Sequence, residues 1–339
     1  MSALHIKLKT SPHLIQAVSV EQIMRNVVYA LLPVCAFAVW HFGISALALL
    51  VTTTAACVGT ERVINLLSGK PSTVTDFSAV ITGLLLALTL PPAFPLWMAA
   101  VSGIIGIALG KAMFGGLGYN LFNPALIGRA FAQGAFPGAI STWTLPGHPD
   151  RFVEFLPSTL AIPFTRPESV DGWTSATPLT AWKFQGVDTP SMELFTGMVA
   201  GSVGETSALL ILGCGLYLVA RRMMNWHIPA AVLSGAFITA GVCYLIDPNA
   251  YPTPWFVVLS GGLMLGAVFM ASDMVASPVT RSGVWLYGLL IGFLTVIIRF
   301  FGGLPEGVMY AILLGNAASP LIERITQPRP YGTGRRRPL

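Results

Sequence analysis

Apolar residues run along this chain in blocks of 14 to 23, separated by short polar or Gly/Pro-rich turns. Candidate spans are Met24–Phe42, Ile44–Leu66, Phe77–Leu90, Leu96–Leu109 and Asn120–Ser141. A second set follows: Gly204–Ala220, Ile228–Ile246, Trp255–Ser272, Val284–Phe301 and Gly307–Ile322. A helix crosses a bilayer with about 20 apolar residues, so the pattern predicts an all-α polytopic membrane protein of about ten transmembrane helices. Phe77–Leu90 and Leu96–Leu109 are short for a full crossing, and Pro91, Pro92 and Pro95 lie between them. These two segments are either tilted or broken at mid-membrane, and short, Pro- or Gly-interrupted segments are the usual sequence pointer to a transporter-type site. The first run begins only at Met24 and others follow, so it reads as a spanning helix and not as a cleaved signal.

Composition agrees: 54% of the 339 residues are hydrophobic and 10% are charged, against about 25% charged in soluble domains. The formal charge of +5 does not indicate nucleic acid, because the basic residues sit between apolar runs and at the ends. With the N-terminus in the cytoplasm, Lys7, Lys9, Arg25, Arg62, Lys70, Lys111, Arg221, Arg222, Arg281, Arg324, Arg329, Arg335, Arg336 and Arg337 all lie inside. This is the orientation that the positive-inside rule selects. Both termini are then cytoplasmic, and the polar loop 142–203 is periplasmic. The expected organisation is a cytoplasmic segment 1–23, a first repeat of five helices over 24–141, the loop 142–203, a second repeat over 204–322 and a basic tail 323–339.

The repeat rests on echoes within the chain. Phe114-Gly-Gly-Leu117 precedes Asn123-Pro-Ala-Leu-Ile-Gly-Arg129, and Phe301-Gly-Gly-Leu304 precedes Asn316-Ala-Ala-Ser-Pro-Leu-Ile-Glu-Arg324. Thr82-Gly-Leu-Leu-Leu and Ser260-Gly-Gly-Leu-Met-Leu match in the same order. Five helices is an odd number, so the two repeats are inverted, a plan common to transport proteins.

Polar residues inside such spans are functional candidates. Arg129 lies within the fifth span and suits either a phosphate or an acid partner. Glu61 and Arg62 are adjacent, hence not facing each other, and are expected to snorkel to the interface. Arg299 and Glu306 lie at the outer end of the ninth span and the start of the tenth, where a carboxylate suits the helix dipole, and Asn123 and Asn316 are candidates to line a central cavity. Cys35, Cys57, Cys214 and Cys243 fall in apolar runs with no CxxC pair, and the five histidines show no ligand spacing, so no metal site is expected.

The stretch Asp171-Gly-Trp-Thr174-Ser-Ala-Thr177-Pro-Leu179 reads, by residue type, as a small-residue turn offering an accessible hydroxyl, with Pro178 keeping a helix from absorbing it. It resembles the flavinylation signature Asp-x-x-(Ser/Thr)-Gly-Ala-Thr, with Ser175 where glycine is usual. The surroundings match too: Asn120-Leu-Phe-Asn-Pro-Ala-Leu-Ile-Gly-Arg129, Ser272-Asp273 with Ser277-Pro278 and Thr280, and Asn316 to Pro320. Together they resemble the family that contains the D component of the Rnf-type ion-translocating ferredoxin:NAD oxidoreductase and the B component of the sodium-pumping NADH:quinone reductase. The absence of a long N-terminal extension favours the Rnf type. The resemblance implies FMN esterified to Thr177 by a flavin transferase, with Asp171, Thr174, Ser175 and Ala176 serving recognition and Arg129 and Asn123 as further cofactor-binding candidates. It leaves room for riboflavin as a second, non-covalent flavin. It implies other subunits of an inner-membrane complex as partners and places any iron–sulfur centres in them. The chain is then an electron carrier coupled to cation translocation, not a catalyst on its own. The competing readings are a small-solute transporter or channel on the same fold, and a cofactor-free assembly subunit.

Overall fold

The structure, a computed structural model, describes residues 19–71, 73–163, 175–205 and 207–328. It is all-helical, with no β-strand among the described residues. Helix α1 (Val20–Phe42) turns directly into α2 (Ile44–Leu67). Gly43 makes this corner at φ +69°, where a Cβ would stand 1.8 Å from the Arg151 carbonyl oxygen. That carbonyl accepts the Ile44 N–H at 2.8 Å, and Arg151 Nε donates to Trp40 O at 2.8 Å. The long loop is therefore strapped to the α1–α2 corner, at what we term the loop end; the opposite end is the far end.

The next helices are short. α3 (Ser78–Thr89), α4 (Leu96–Ile107, continued by a π turn over Ala108–Ala112) and α5 (Pro124–Ala135) each have 12 residues. At 1.5 Å per residue that is about 18 Å, little more than half of a hydrocarbon core. Asn123 caps α5, accepting the Ala125 N–H at 3.0 Å with Pro124 in the first turn, a favourable start because proline lacks the N–H that would go unpaired. A short turn α6 (Pro137–Ile140) leads into the loop, which contains α7 (Pro178–Gln185) and α8 (Ser191–Thr196). α9 (Ala208–Ala220) and α10 (His227–Ile246) follow. The eighth expected span is broken into α11 (Pro254–Leu259), α12 (Leu263–Leu265) and a π turn over Gly266–Met270. α13 (Arg281–Phe301) and α14 (Val308–Thr326) close the bundle.

Among the described residues, four helices, α1, α2, α10 and α13, are long and apolar enough to cross a membrane. The other expected spans give shorter or interrupted helices, apart from α14, whose 19 residues are continuous. The break after α3 is satisfied internally. Leu88 O and Leu90 O, which have no partner further along α3, accept the N–H groups of Gly204 (2.7 Å) and Val203 (3.0 Å). Buried backbone without such partners is not tolerated in lipid.

Helix contacts recur. α2 packs on α3 and α4, and α4 on α5; α10 packs on α11 and α13, and α13 on α14. Across the middle, α1 meets α9 and α5 meets α14. Small residues allow the closest approaches: a Cβ on Gly292 would lie 2.3 Å from Val232 O, and one on Gly288 2.4 Å from Ala231 Cβ. This is the small-residue packing used where lipid removes the hydrophobic drive between helices.

Candidate functional site

Thr177 caps α7. Its Oγ1 accepts the Thr180 N–H at 3.2 Å and shares a hydrogen bond with Thr180 Oγ1 at 2.8 Å. Pro178, expected to stop a helix, instead starts one in the first turn. The hydroxyl is correspondingly not free: Thr177 is 5% exposed. Ser175 N–H donates to Trp143 O at 2.9 Å, pinning the approach to the cap, and Ala176 lies half-buried between them. Asp171 and Thr174 lie outside the described residues.

α7 is docked on the end of α13 by Lys183. Its ammonium donates to the carbonyls of Arg299 (2.8 Å), Gly302 (2.5 Å) and Leu304 (3.1 Å), taking up carbonyls that a helix end leaves unpaired. Burial holds the Lys183 pKa below the usual lysine value. Arg299, 1% exposed, points the other way and caps the broken eighth span, with Nη1 donating to Val257 O at 2.6 Å and Nη2 to Ser260 O at 3.0 Å. Gly261 turns the chain here at φ +61°, where a Cβ would meet Leu179 at 2.6 Å and Arg299 Nη2 at 3.2 Å. Only glycine fits a left-handed position pressed from both sides.

Between α7, α8 and this break lies a cavity lined by Thr177, Pro178, Leu179, Leu194, Glu205, Gly261 and Glu306, among others. Arg129 Nη2 pairs with Glu306 Oε2, so Arg129 does find an acid partner, 177 residues away in sequence. Arg129 Nη1, Glu205 Oε2 and Arg299 Nε have no hydrogen-bond partner among the described residues. Glu205 and Glu306 thus share this cavity's wall with the cap residue, while Arg129 holds Glu306 and Arg299 holds the Val257 and Ser260 carbonyls.

Asn123 sits at the far end, away from Thr177. Its Nδ2 donates to Met270 O at 3.3 Å, and it lines a cavity at this end. The walls include Met24, Val27, Ile81, Leu85 and Phe269, and the polar contributors include Ser78, Lys111, Asn120, Ser272 and Asp273. Asn316 is not in that wall: it is 1% exposed and its Oδ1 accepts the Tyr287 O–H at 2.7 Å. Glu61 does not snorkel. It is buried and pairs with Lys111 Nζ at 2.6 Å. Sequence reasoning counted Lys111 only as a topology charge and passed over Glu205 and Lys183 as site residues; a lone charge beside an apolar run carries no sign of its partner.

The family model described as "NQR2, RnfD, RnfE family" matches residues 7–332. The chain is 43% identical to the D component of the Na(+)-translocating ferredoxin:NAD(+) oxidoreductase complex of Acetobacterium woodii, covering 98% of this chain and 97% of that one. It is 40% identical to the D component of the proton-translocating ferredoxin:NAD(+) oxidoreductase complex of Clostridium ljungdahlii (97% and 96% covered). It is 37% identical to the D component of the ion-translocating oxidoreductase complex of Alcanivorax borkumensis (95% and 96% covered). With a match over nearly its whole length, the chain belongs to the NQR2, RnfD, RnfE family.

Proposed function

We propose that this chain is the D-type membrane component of an ion-translocating ferredoxin:NAD oxidoreductase complex, and that it carries FMN through a phosphoester on Thr177. The observation that carries the first part is the near full-length similarity to proteins so named. For the second, the supporting observation is the setting of Thr177. A phosphate on this hydroxyl would stand at the start of α7, where backbone N–H groups favour an anion. The guanidinium of Arg129 reaches the same cavity wall through Glu306 and retains an unpartnered donor. Glu205 and Glu306 oppose a phosphate there, and Arg129 and Arg299 offset them.

Bound FMN would supply one- and two-electron exchange, which is the cofactor's own chemistry. The protein's part is to hold it. Thr177 fixes it covalently, Lys183 docks its helix on α13, and the exposed Phe184, Met192 and Met198 give apolar surface at the same end. Asp171 and Thr174 serve recognition by a flavin transferase. The basic residues put the far end and both termini in the cytoplasm and the loop end outside the inner membrane. The apolar far-end cavity with Lys111, Asn120 and Asn123 at its polar side is the place for a second flavin, riboflavin. Esterification needs the Thr177 hydroxyl released from its cap, so the transferase acts on a frayed first turn of α7.

The test is in-gel ultraviolet fluorescence of the denatured chain expressed with its flavin transferase. Wild type should fluoresce and Thr177→Ala should be dark. Fluorescence retained in the variant rejects the attachment residue. A dark wild type favours the solute-transporter reading, which the broken α11–α12 segment and the far-end cavity would also suit.

A further inference from the structure

α9 meets α1 across the middle of the bundle, and a hydrogen-bonded clamp joins them near the far end. Tyr217 O–H donates to Asn26 Oδ1 at 3.0 Å, and Asn26 Nδ2 donates to Gln22 O at 2.7 Å. From that clamp toward the loop end the two helices leave an open groove, whose lining includes Tyr29, Pro33, Leu209, Gly213 and Tyr217. Among the described residues, no charged side chain lines it. At Gly213 the floor carries no side chain, and a Cβ there would meet nothing within 4 Å. Leu209 to Tyr217 is about 12 Å of helix at 1.5 Å per residue, close to the depth of one hydrocarbon leaflet, about 15 Å.

The far-end mouth of the groove carries two consecutive arginines. Arg221 ends α9, and its guanidinium lies over the Tyr217 ring, 5.9 Å from the ring centre. Arg222 follows in the left-handed region at φ +56°. Its N–H donates to Val219 O and that of Met223 to Leu218 O, both at 2.9 Å, the paired bonds of a Schellman helix end. That position ordinarily belongs to glycine, because a Cβ is strained there. The positive-inside rule asks for cations near this end, but an unstrained neighbouring position would satisfy it. An arginine kept where glycine fits best points to a task for its guanidinium. Both arginines are exposed, and among the described residues neither makes an ion pair. A helix from another chain would need acids of its own to match them. A phosphate accepts from two guanidiniums in their ordinary geometry, and an acyl chain suits the uncharged groove below.

We propose that the α1–α9 groove and the Arg221–Arg222 pair form a site for one anionic phospholipid of the far-end leaflet, its phosphate on the two guanidiniums and one acyl chain lying over Gly213. The inference goes beyond the proposed function and does not rest on it.

The experiment is photolabelling of the purified, assembled complex with phosphatidylglycerol that carries a diazirine on one acyl chain, followed by peptide mapping. Label should fall on the peptides containing 29–33 and 209–217. Unlabelled phosphatidylglycerol should compete at least about tenfold better than phosphatidylcholine. Arg221→Gln/Arg222→Gln should weaken labelling at least about tenfold, since each basic residue near an anionic lipid adds its own attraction. Arg222→Lys, which keeps the charge, should retain most of the labelling, and Gly213→Leu, which fills the slot, should remove it. Arg222→Gly separates the lipid from the fold: labelling should weaken about fivefold while the thermal midpoint holds or rises, because glycine relieves the left-handed position. If the double variant does not assemble, Arg222→Gly carries the same comparison. Equal competition by phosphatidylcholine, labelling indifferent to the arginines, or label falling on a helix of another subunit in place of 29–33 and 209–217 overturns the site. A midpoint lowered by Arg222→Gly overturns the argument from strain.

Discussion

Replacing Thr177 by alanine in chain made without the flavin transferase removes the α7 cap while no ester is present. Loss of a hydroxyl N-cap costs about 0.5–2 kcal/mol. The upper half of that range applies here, because Thr177 Oγ1 serves both the N–H and the hydroxyl of Thr180 and the alanine leaves both short of a partner. About 1–2 kcal/mol corresponds to a 5- to 30-fold rise in the open population of this eight-residue helix. Hydrogen exchange of peptides covering 175–187 reads it directly, since the Ala181 N–H bonds Thr177 O at 2.8 Å. Thr177→Asp separates the two roles of the residue. It should keep exchange near wild type, because aspartate also caps, and should carry no flavin when the transferase is supplied. Thr177→Ser should preserve both properties. Unchanged exchange in Thr177→Ala would refute the capping geometry and with it the claim that the transferase must open α7.

Glu306→Gln leaves the Arg129 guanidinium buried without its counter-charge. Breaking such a pair costs about 3–5 kcal/mol, the lower end applying because the Glu306 side chain is 17% exposed. The thermal midpoint in detergent should fall, and Arg129→Met/Glu306→Leu should recover most of it; a single variant no worse than the double would contradict the pairing. Gly292→Ala puts a carbon 2.3 Å from Val232 O and should cost about 1–3 kcal/mol by overpacking α13 on α10. Gly213→Ala, with nothing within 4 Å, should be neutral or stabilising by the same melting assay.

The long helices were legible from hydropathy alone. Expected and observed bounds agree to within about four residues for α1, α2, α10 and α13. The interruptions were legible only in part. Pro91, Pro92 and Pro95 announced the break after α3, but Trp255–Ser272 read as one helix. An apolar stretch has the same hydropathy whether or not it is continuous. What divides it is the left-handed Gly261 and the Arg299 guanidinium on Val257 O and Ser260 O, contacts from a side chain 42 and 39 residues further on. The same limit governs the site. Thr177 is proposed from a local signature, whereas the Arg129–Glu306 and Glu61–Lys111 pairs join distant segments. Thr177 itself was misjudged as exposed, because a threonine before a proline is also the sequence of a helix cap.

The central claim is settled by mass spectrometry of the chain purified from cells with an active flavin transferase. The peptide containing Thr177 should be heavier by one FMN less one water, with fragmentation assigning the addition to that threonine. An unmodified peptide from a fully assembled complex would contradict the account and remove the ester-bound flavin from this chain.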